Sequence, residues 1–469
     1  MHILFIYPDI SVASGRFQQG LGSISSVLRK NGHKTSLLHI ETELSKKQLC
    51  RKIESLNPNL IAFSTTTNQF PYVELYSKWI KESFKIPIVC GGVHPTLSPD
   101  DVISNENIDI LCVGEGEYPM LELANKLENS QEITGIANLW VKADGKVYKN
   151  PLRPLISNID ELPFPDRELF DYEKMIRKFS SRSGNLRIAE VMTGRGCPFD
   201  CTYCCNHALR RIYHECGPYV RRRSVENVLG EIQYLIETYK INWLIFDDDT
   251  FTLDSRWLTE FCEKYPVRFN LPFQCNAFPT TLNKELVQKL KKAGCDRIAI
   301  GIESGNEWMR ISVLRRPMTN EQIINAFKLL KEFNIKGYSF NIVGLPFETP
   351  EMLEDTVKLN LQVDPDHIQV SVFCPYPGTQ LNEVCKENGF VTDCGTSSYF
   401  NEETSLNLPT LTRKTIASYY RKMHLISIDK IVSSSYPRIY PFYKLSKRVL
   451  GESLTYRITL LVRKRLYHY

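Results

Sequence analysis

Short apolar runs alternate with helix-spaced segments twice along this chain, and that alternation constrains its fold more than any other feature. In the first 125 residues the runs are Ile3–Tyr7, Thr35–Ile40, Leu60–Ser64, Ile86–Cys90 and Ile108–Val113. A glycine-bearing loop (Gly15, Gly20, Gly22) and a helix-like segment through Val27 and Leu28 follow the first run, and another such segment covers Tyr72–Ser83. Strands that are apolar throughout, taking turns with helices, belong to a parallel sheet buried on both faces. A doubly wound domain is therefore expected over 1–130. Ligands of such sheets sit beyond the strands' carboxyl ends, here Ser64–Thr67, Gly91–Thr96 and Gly114–Glu117.

The alternation resumes near 186. Candidate strands are Ile188–Met192, Trp243–Asp247, Phe273–Asn276, Arg297–Ile302, Gly337–Val343 and His367–Phe373, and segments such as Lys284–Lys292 and Asn320–Phe333 carry helical apolar spacing. Six such units predict a partial (β/α)6 barrel over 186–400, with its chemistry at the carboxyl ends of the strands. The less periodic stretch 131–185 includes Asp160–Asp166 (DELPFPD) and is expected to be a linker between the domains. A small helical region is expected over 401–469, where Ile416, Tyr419, Tyr420, Met423 and Ile426 fall at helical spacing.

Composition narrows the function classes. The 469 residues carry 58 Lys and Arg against 53 Asp and Glu, a net charge of +5, so nucleic-acid binding is not expected. That small sum is regional: residues 411–469 hold 13 Lys/Arg and two acids, Asp429 and Glu452, leaving −6 on residues 1–410. The tail is read as a helical cap on the barrel or as a peripheral, lipid-contacting helix. Met1 runs into Ile3–Tyr7 without a basic leader or cleavage site, and no apolar segment reaches about 18 residues. A cytoplasmic setting is expected. Fourteen cysteines are too sparse for a disulfide scaffold but enough to ask about metal.

Three of them answer. Cys197, Cys201 and Cys204 form CxxxCxxC within Thr193–His207 (TGRGCPFDCTYCCNH), directly after a predicted strand. Thiolates are soft ligands for iron–sulfur clusters and zinc. Zinc usually takes four protein ligands in separated pairs. Cys205 and His207 are candidates to complete such a site, but adjacent Cys204 and Cys205 cannot easily aim at one tetrahedral ion. Three thiolates on a four-iron cluster leave one iron open for chemistry. Cys205, Cys216 and the scattered cysteines 50, 90, 112, 262, 275, 295, 374, 385 and 394 read as packing residues.

The spacing, with Tyr203 just before the last cysteine, resembles the radical S-adenosylmethionine (radical SAM) superfamily. The resemblance implies a 4Fe-4S cluster on Cys197, Cys201 and Cys204 whose open iron binds SAM, cleaved to a 5′-deoxyadenosyl radical. It covers roughly 186–400 and places SAM contacts on Tyr203 and at the strand ends. Phe246–Phe251 (FDDDTF) offers Asp247, Asp248 and Asp249 to the SAM ammonium, Gly301–Gly305 (GIESG) offers Glu303 and Ser304, Asn341–Thr349 (NIVGLPFET) offers Gly344, and Phe373–Gln380 (FCPYPGTQ) offers Pro375 with Gly378.

A doubly wound, Rossmann-like domain ahead of such a barrel is similar to the cobalamin-binding subclass. The matching pieces are Ser64, Thr65 and Thr66, then Gly91 and Gly92 in Cys90–Thr96 (CGGVHPT), then Glu115 and Gly116 in Val113–Glu117 (VGEGE). A dinucleotide is disfavoured because the loop after the first strand lacks G-x-G-x-x-G. One departure matters. Many cobalamin domains carry D-x-H-x-x-G after the first strand, where the histidine ligates cobalt. Here Asp9 is followed by no histidine, and His2, His33 and His39 are not placed by sequence to serve. His94 reads as a loop-shaping residue. Cobalamin, if bound, is expected base-off without a histidine ligand.

The resemblance implies an oxygen-sensitive, cobalamin-dependent radical SAM methyltransferase acting on an unactivated carbon of a small molecule, with electrons from a flavodoxin or ferredoxin. The basic, amphipathic tail adds the expectation of a hydrophobic or lipid-linked substrate. The alternatives are a non-methylating radical enzyme, such as an oxidative cyclase, and a non-catalytic cobalamin sensor.

Overall fold

The structure is a computed structural model describing residues 1–10, 15–180, 186–391 and 402–466. The chain forms two units, one of Met1–Met175 with Cys204–Arg222 and Tyr376–Thr379, the other of Ile176–Tyr203, Arg223–Pro375 and Gln380–Tyr469.

In the first unit, β1 (His2–Pro8), β2 (Lys34–Ile40), β3 (Leu60–Ser64), β4 (Ile88–Gly91), β5 (Ile110–Cys112), β6 (Leu139–Ala143) and β7 (Lys146–Lys149) form one sheet. Their spatial order is β2-β1-β3-β4-β5-β6-β7. The first five strands run parallel, as their apolar runs predict. Leu4, Ile6, Ile61, Phe63, Ile88 and Leu111 bury against Val73, Tyr76 and Ile80 of the helix Phe70–Ser83. Each such side chain contributes about 1.5–3 kcal/mol by leaving water. The order reverses between β1 and β3, the switch point where sheets of this kind take ligands.

The stretch 131–185 differs from the linker its sequence pattern predicts. β6 and β7 add antiparallel to β5 and complete the sheet. β7 is exposed at every position, so it carries no apolar period to read. Asp166, at the end of DELPFPD, accepts hydrogen bonds from Ser25 Oγ (2.6 Å) and Arg29 Nη1 (2.9 Å) on the first helix. This stretch belongs to the first unit rather than to a free crossing.

In the second unit six parallel strands follow one another in chain order: Ile188–Val191, Trp243–Phe246, Phe273–Ala277, Cys295–Glu303, Lys336–Val343 and His367–Val372. They make the expected half-barrel. Phe246, Phe251, Phe261, Tyr265 and Phe273 pack edge-to-face or stacked behind the second strand. The helix Arg413–Ser435 covers the last strand: Ile416, Tyr420, Met423 and Ile428 are buried, and Ser427 Oγ accepts from Ile368 N at 3.1 Å. An open sheet edge is thereby closed. The helix Tyr440–Leu466 follows, kinked at Gly451. No helix among the described residues is long and apolar enough to cross a membrane.

Candidate active site

The first barrel strand ends at Val191, and the cysteine loop begins two residues on, at Thr193. Thr193 donates through its backbone N (3.1 Å) and Oγ1 (2.8 Å) to the two carboxylate oxygens of buried Asp248, beyond the second strand. Asn276 Nδ2 donates to the Asp248 carbonyl at 2.9 Å. Asp248 therefore fastens the start of the loop, while Asp247 is half-buried and Asp249 exposed.

Further along the loop, Cys197 Sγ lies 3.9 Å from Thr250 Oγ1. Thr202 donates to the carbonyls of Leu314 (N, 3.2 Å) and Val313 (Oγ1, 2.7 Å). These bonds tie the loop to the segment leading to Arg316. That arginine was not legible as a site residue, since Arg315–Arg316 beside Pro317 reads as a solvated basic turn. It is instead buried. Its Nη1 donates to Cys201 Sγ (3.5 Å) and Tyr203 Oη (3.3 Å), its Nη2 donates to the Gly301 carbonyl (2.8 Å), and Glu303 Oε1 lies 3.9 Å from Nη1. Burial alone acts to lower the Arg316 pKa, but Tyr203, Glu303 and Cys201 hold it above its ordinary value.

Glu303 sits in left-handed backbone (φ 63°) at a bulge in the pairing with the fifth strand. Such a bulge re-aims a side chain. Burial pushes its carboxyl pKa up, with Arg316 and Tyr203 opposing. A Cβ on Gly301 would lie 2.3 Å from Glu303 Oε1 and 2.8 Å from Arg316 Nη2, so glycine there makes room for the pair. Ser304 is buried and its carbonyl accepts from Arg310 Nη1 at 2.5 Å. Tyr203, Glu303 and Cys201 are thus brought together around one cation, while Ser304 is engaged beside them.

At the fifth strand's end Gly344 (φ 79°) and Leu345 donate their backbone N–H to Glu348 Oε2 at 2.7 and 3.1 Å. Glu348 Oε1 is buried without a hydrogen-bond partner, and burial pushes this carboxyl up to about 8. Pro375 is buried just past the last strand. Cys204 is the N-cap residue of the helix Cys205–Ile212, with Asn206 Nδ2 3.9 Å from its Sγ.

The remaining cysteines behave as packing residues. Cys90, Cys112, Cys262, Cys275, Cys295 and Cys385 are buried, and Cys50, Cys205, Cys216 and Cys374 half-buried. Burial pushes the Cys112 and Cys262 thiols up to about 12, too high for ready thiolate chemistry. Cys394 lies outside the described residues. Among those described, no three His, Cys, Asp or Glu side chains gather around a single ion. A four-iron cluster needs no such convergence, because each thiolate takes a different iron.

The first unit's carboxyl edge is built differently. Ser64 ends β3 half-buried, Thr65 is buried, and Thr66 is exposed. Thr65 N donates to the Gly91 carbonyl at 3.0 Å. Gly92 has φ 112°, and a Cβ there would lie 2.6 Å from the Thr65 carbonyl oxygen. Only glycine permits that approach. His94, two residues on, donates or accepts through Nδ1 with Thr67 Oγ1 (3.2 Å), while its Nε2 is buried with no hydrogen-bond partner. Burial lowers its pKa. Glu115 is committed to Arg221 (3.0 Å) and to Ile156 N (3.0 Å), and Gly116 lies close beneath Ile24. Asp9 does find a histidine. His39, from the end of β2, places Nε2 2.9 Å from Asp9 Oδ2, and Gly15 N donates to the same oxygen at 2.6 Å. The pair spans 30 residues and two strands, which no local motif shows.

A half-barrel with a thiolate loop at the carboxyl end of its first strand, in one chain with a flavodoxin-ordered sheet, defines an iron–sulfur radical enzyme with an accessory cofactor domain. Residues 191–359 match the radical SAM superfamily and residues 12–124 match the B12 binding domain. The chain is a cobalamin-binding member of the radical SAM superfamily, and its cofactors are a 4Fe-4S cluster, SAM and cobalamin.

It is 28% identical over 434 residues to an uncharacterized methyltransferase of Pyrococcus horikoshii, covering 91% of this chain and 92% of the relative. It is 28% identical over 400 residues to the anaerobic magnesium-protoporphyrin IX monomethyl ester cyclase of Rubrivivax gelatinosus, covering 81% and 69%. Its fold is similar to that of the radical SAM methyltransferase TsrM of Kitasatospora setae, solved with cobalamin and a [4Fe-4S] cluster bound (TM-score 0.67, 16% identity, 83% and 76% covered).

The residues present fit these groups. Reduced thiols on one pinned loop, with a guanidinium donor on the Cys201 sulfur, suit a thiolate-held cluster. A glycine-lined sheet edge with a buried imidazole nitrogen that makes no hydrogen bond, Asp101 Oδ2 lying 3.9 Å from it, suits a large ligand bearing amide groups.

Proposed function

We propose that this chain is a cobalamin-dependent methyltransferase acting on an unactivated carbon of a small molecule. The observation that carries the reading is the Cys197–Cys204 loop, fastened by Asp248 at the barrel's carboxyl end, in one chain with a B12 binding domain. Similarity over nine-tenths of its length to a methyltransferase supports the methylating outcome.

When bound, the cofactors supply a substrate-activating radical and a transferable methyl group, chemistry no side chain provides. The protein's part is positioning and exclusion. Cys197, Cys201 and Cys204 hold the cluster. Arg316 holds the Cys201 sulfur and the Glu303 carboxylate in place, and the proposed SAM contacts Asp247, Asp249, Glu303 and Gly344 lie at or just past strand ends. Ser64, Thr66, Gly91 and Gly92 offer cobalamin a close-approach edge. The enzyme works without oxygen in the cytoplasm and receives electrons from a flavodoxin or ferredoxin.

A second reading, oxidative ring formation without methyl transfer, is favoured by the cyclase relative. Turnover with SAM and a candidate substrate under anaerobic reduction separates the two. Equal yields of 5′-deoxyadenosine and S-adenosylhomocysteine are expected for methylation. Deoxyadenosine alone contradicts it and assigns the second reading.

A further inference from the structure

The basic tail divides into two parts. Along the helix Arg413–Ser435 three of the five cations are used internally: Lys422 pairs with Glu354 (2.7 Å), Arg421 with Glu402 (2.5 Å) and Lys430 with Asp364. Lys447 on the next helix pairs back to Asp429 at 2.8 Å. That next helix, Tyr440–Leu466, buries Tyr456 in the core and packs Tyr443 against it, but presents another side outward. Ile439 is 57% exposed, Phe442 74%, Leu445 58% and Val449 74%. Phe442, Leu445 and Val449, spaced by three and four residues, share one side of the helix, and Ile439 lies in the turn just before it. Leu454 and Ile458 continue the exposure beyond the Gly451 kink. Arg438, Lys444 and Arg448 flank this ridge, are exposed, and make no ion pair with any described residue. Isolated exposed apolar residues need no explanation, but a contiguous ridge rimmed by free cations marks a binding surface.

We propose that this ridge seats the enzyme on the surface of an anionic lipid bilayer. Chemistry favours that occupant over others. A bilayer surface presents anionic headgroups above an apolar layer, matching unpaired Lys and Arg beside Phe, Leu and Val. A nucleic acid matches the cations but leaves Leu445 and Val449 without an apolar layer. A second copy would bring two tails of net charge +11 together. The helix is too short of apolar residues to cross, so it lies in the interface. The surface itself is independent of the methyl-transfer reading.

The test is flotation of the full-length, cluster-loaded protein with vesicles of phosphatidylcholine alone or mixed with phosphatidylglycerol, at low and high salt. Binding to the anionic vesicles, weakened by salt, is expected. F442E/V449E and K444E/R448E should each reduce it by at least about tenfold, with circular dichroism and iron content unchanged. The charge-reversal pair alters only exposed side chains, so it keeps the test valid if the apolar variant misfolds. Equal binding to neutral vesicles, no binding to either, or variants that float as the parent does would overturn the proposal. A concentration-dependent dimer lost in both variants, without vesicle binding, would assign the ridge to a second copy.

Discussion

The carboxyl ends of the two sheets solve opposite problems. At the barrel end, polar and ionisable groups are already committed to partners: Asp248 to Thr193, Arg316 to Cys201 and Glu303, Glu348 to the backbone of Gly344 and Leu345. At the edge of the first unit's sheet the dominant devices are absence of side chain and close backbone approach, as at Gly92 over Thr65. A thiolate cluster concentrates negative charge and needs it managed within a low-dielectric site. A bulky neutral macrocycle with a long tail needs room. Polar networks therefore carry the barrel end and steric permission carries the sheet edge, which predicts different responses to substitution.

The largest effect is expected at Glu348. Its folded carboxyl pKa is raised from 4.5 to about 8 by burial, so the neutral form is the one the fold favours. The resulting stability is fully present below 4.5 and lost as pH rises through about 8, by at most about 5 kcal/mol. E348Q should flatten the urea-unfolding free energy between those pH values. An unchanged slope would place the carboxylate's charge outside the barrel end's polar network. Next comes Arg316. R316M leaves Glu303 and the Cys201 sulfur without their cation and should cost about 3–5 kcal/mol, with loss of iron on reconstitution. R316K should recover part of the iron content. Smallest is Gly92, where G92A forces a side chain into left-handed backbone against Thr65. A loss of about 1–3 kcal/mol and weaker corrinoid retention are expected, with iron content unchanged. If G92A instead lost iron, the contrast between the two ends would fail.

The same contrast explains what the sequence revealed. Buried parallel strands read as apolar runs, so all eleven were legible, from Ile3–Tyr7 to His367–Phe373, and CxxxCxxC pointed to its chemistry through its resemblance to the radical SAM superfamily. β6 and β7 were not legible, because a two-strand antiparallel edge with exposed lysines carries no continuous apolar signal. Arg316 was hidden because burial, not local pattern, turns a basic turn residue into a site residue. Glu348 was hidden behind the glycine of its own motif. His39 meets Asp9 only through the parallel pairing of β1 and β2. The glycine pair Gly91–Gly92 after its strand is visible in one dimension, but the close approach of Gly92 to Thr65 is seen only in the fold.

The central claim is that one chain holds a radical-generating cluster and cobalamin on separate structural devices. Anaerobic reconstitution with iron, sulfide and hydroxocobalamin, followed by optical spectra and iron analysis, tests it directly in the parent and in the C197A/C201A/C204A variant. The parent should bind about four irons per chain and show corrinoid bands, and the variant should lose the iron while keeping the corrinoid. Iron retained by the variant, or no corrinoid bands in the parent, would contradict it.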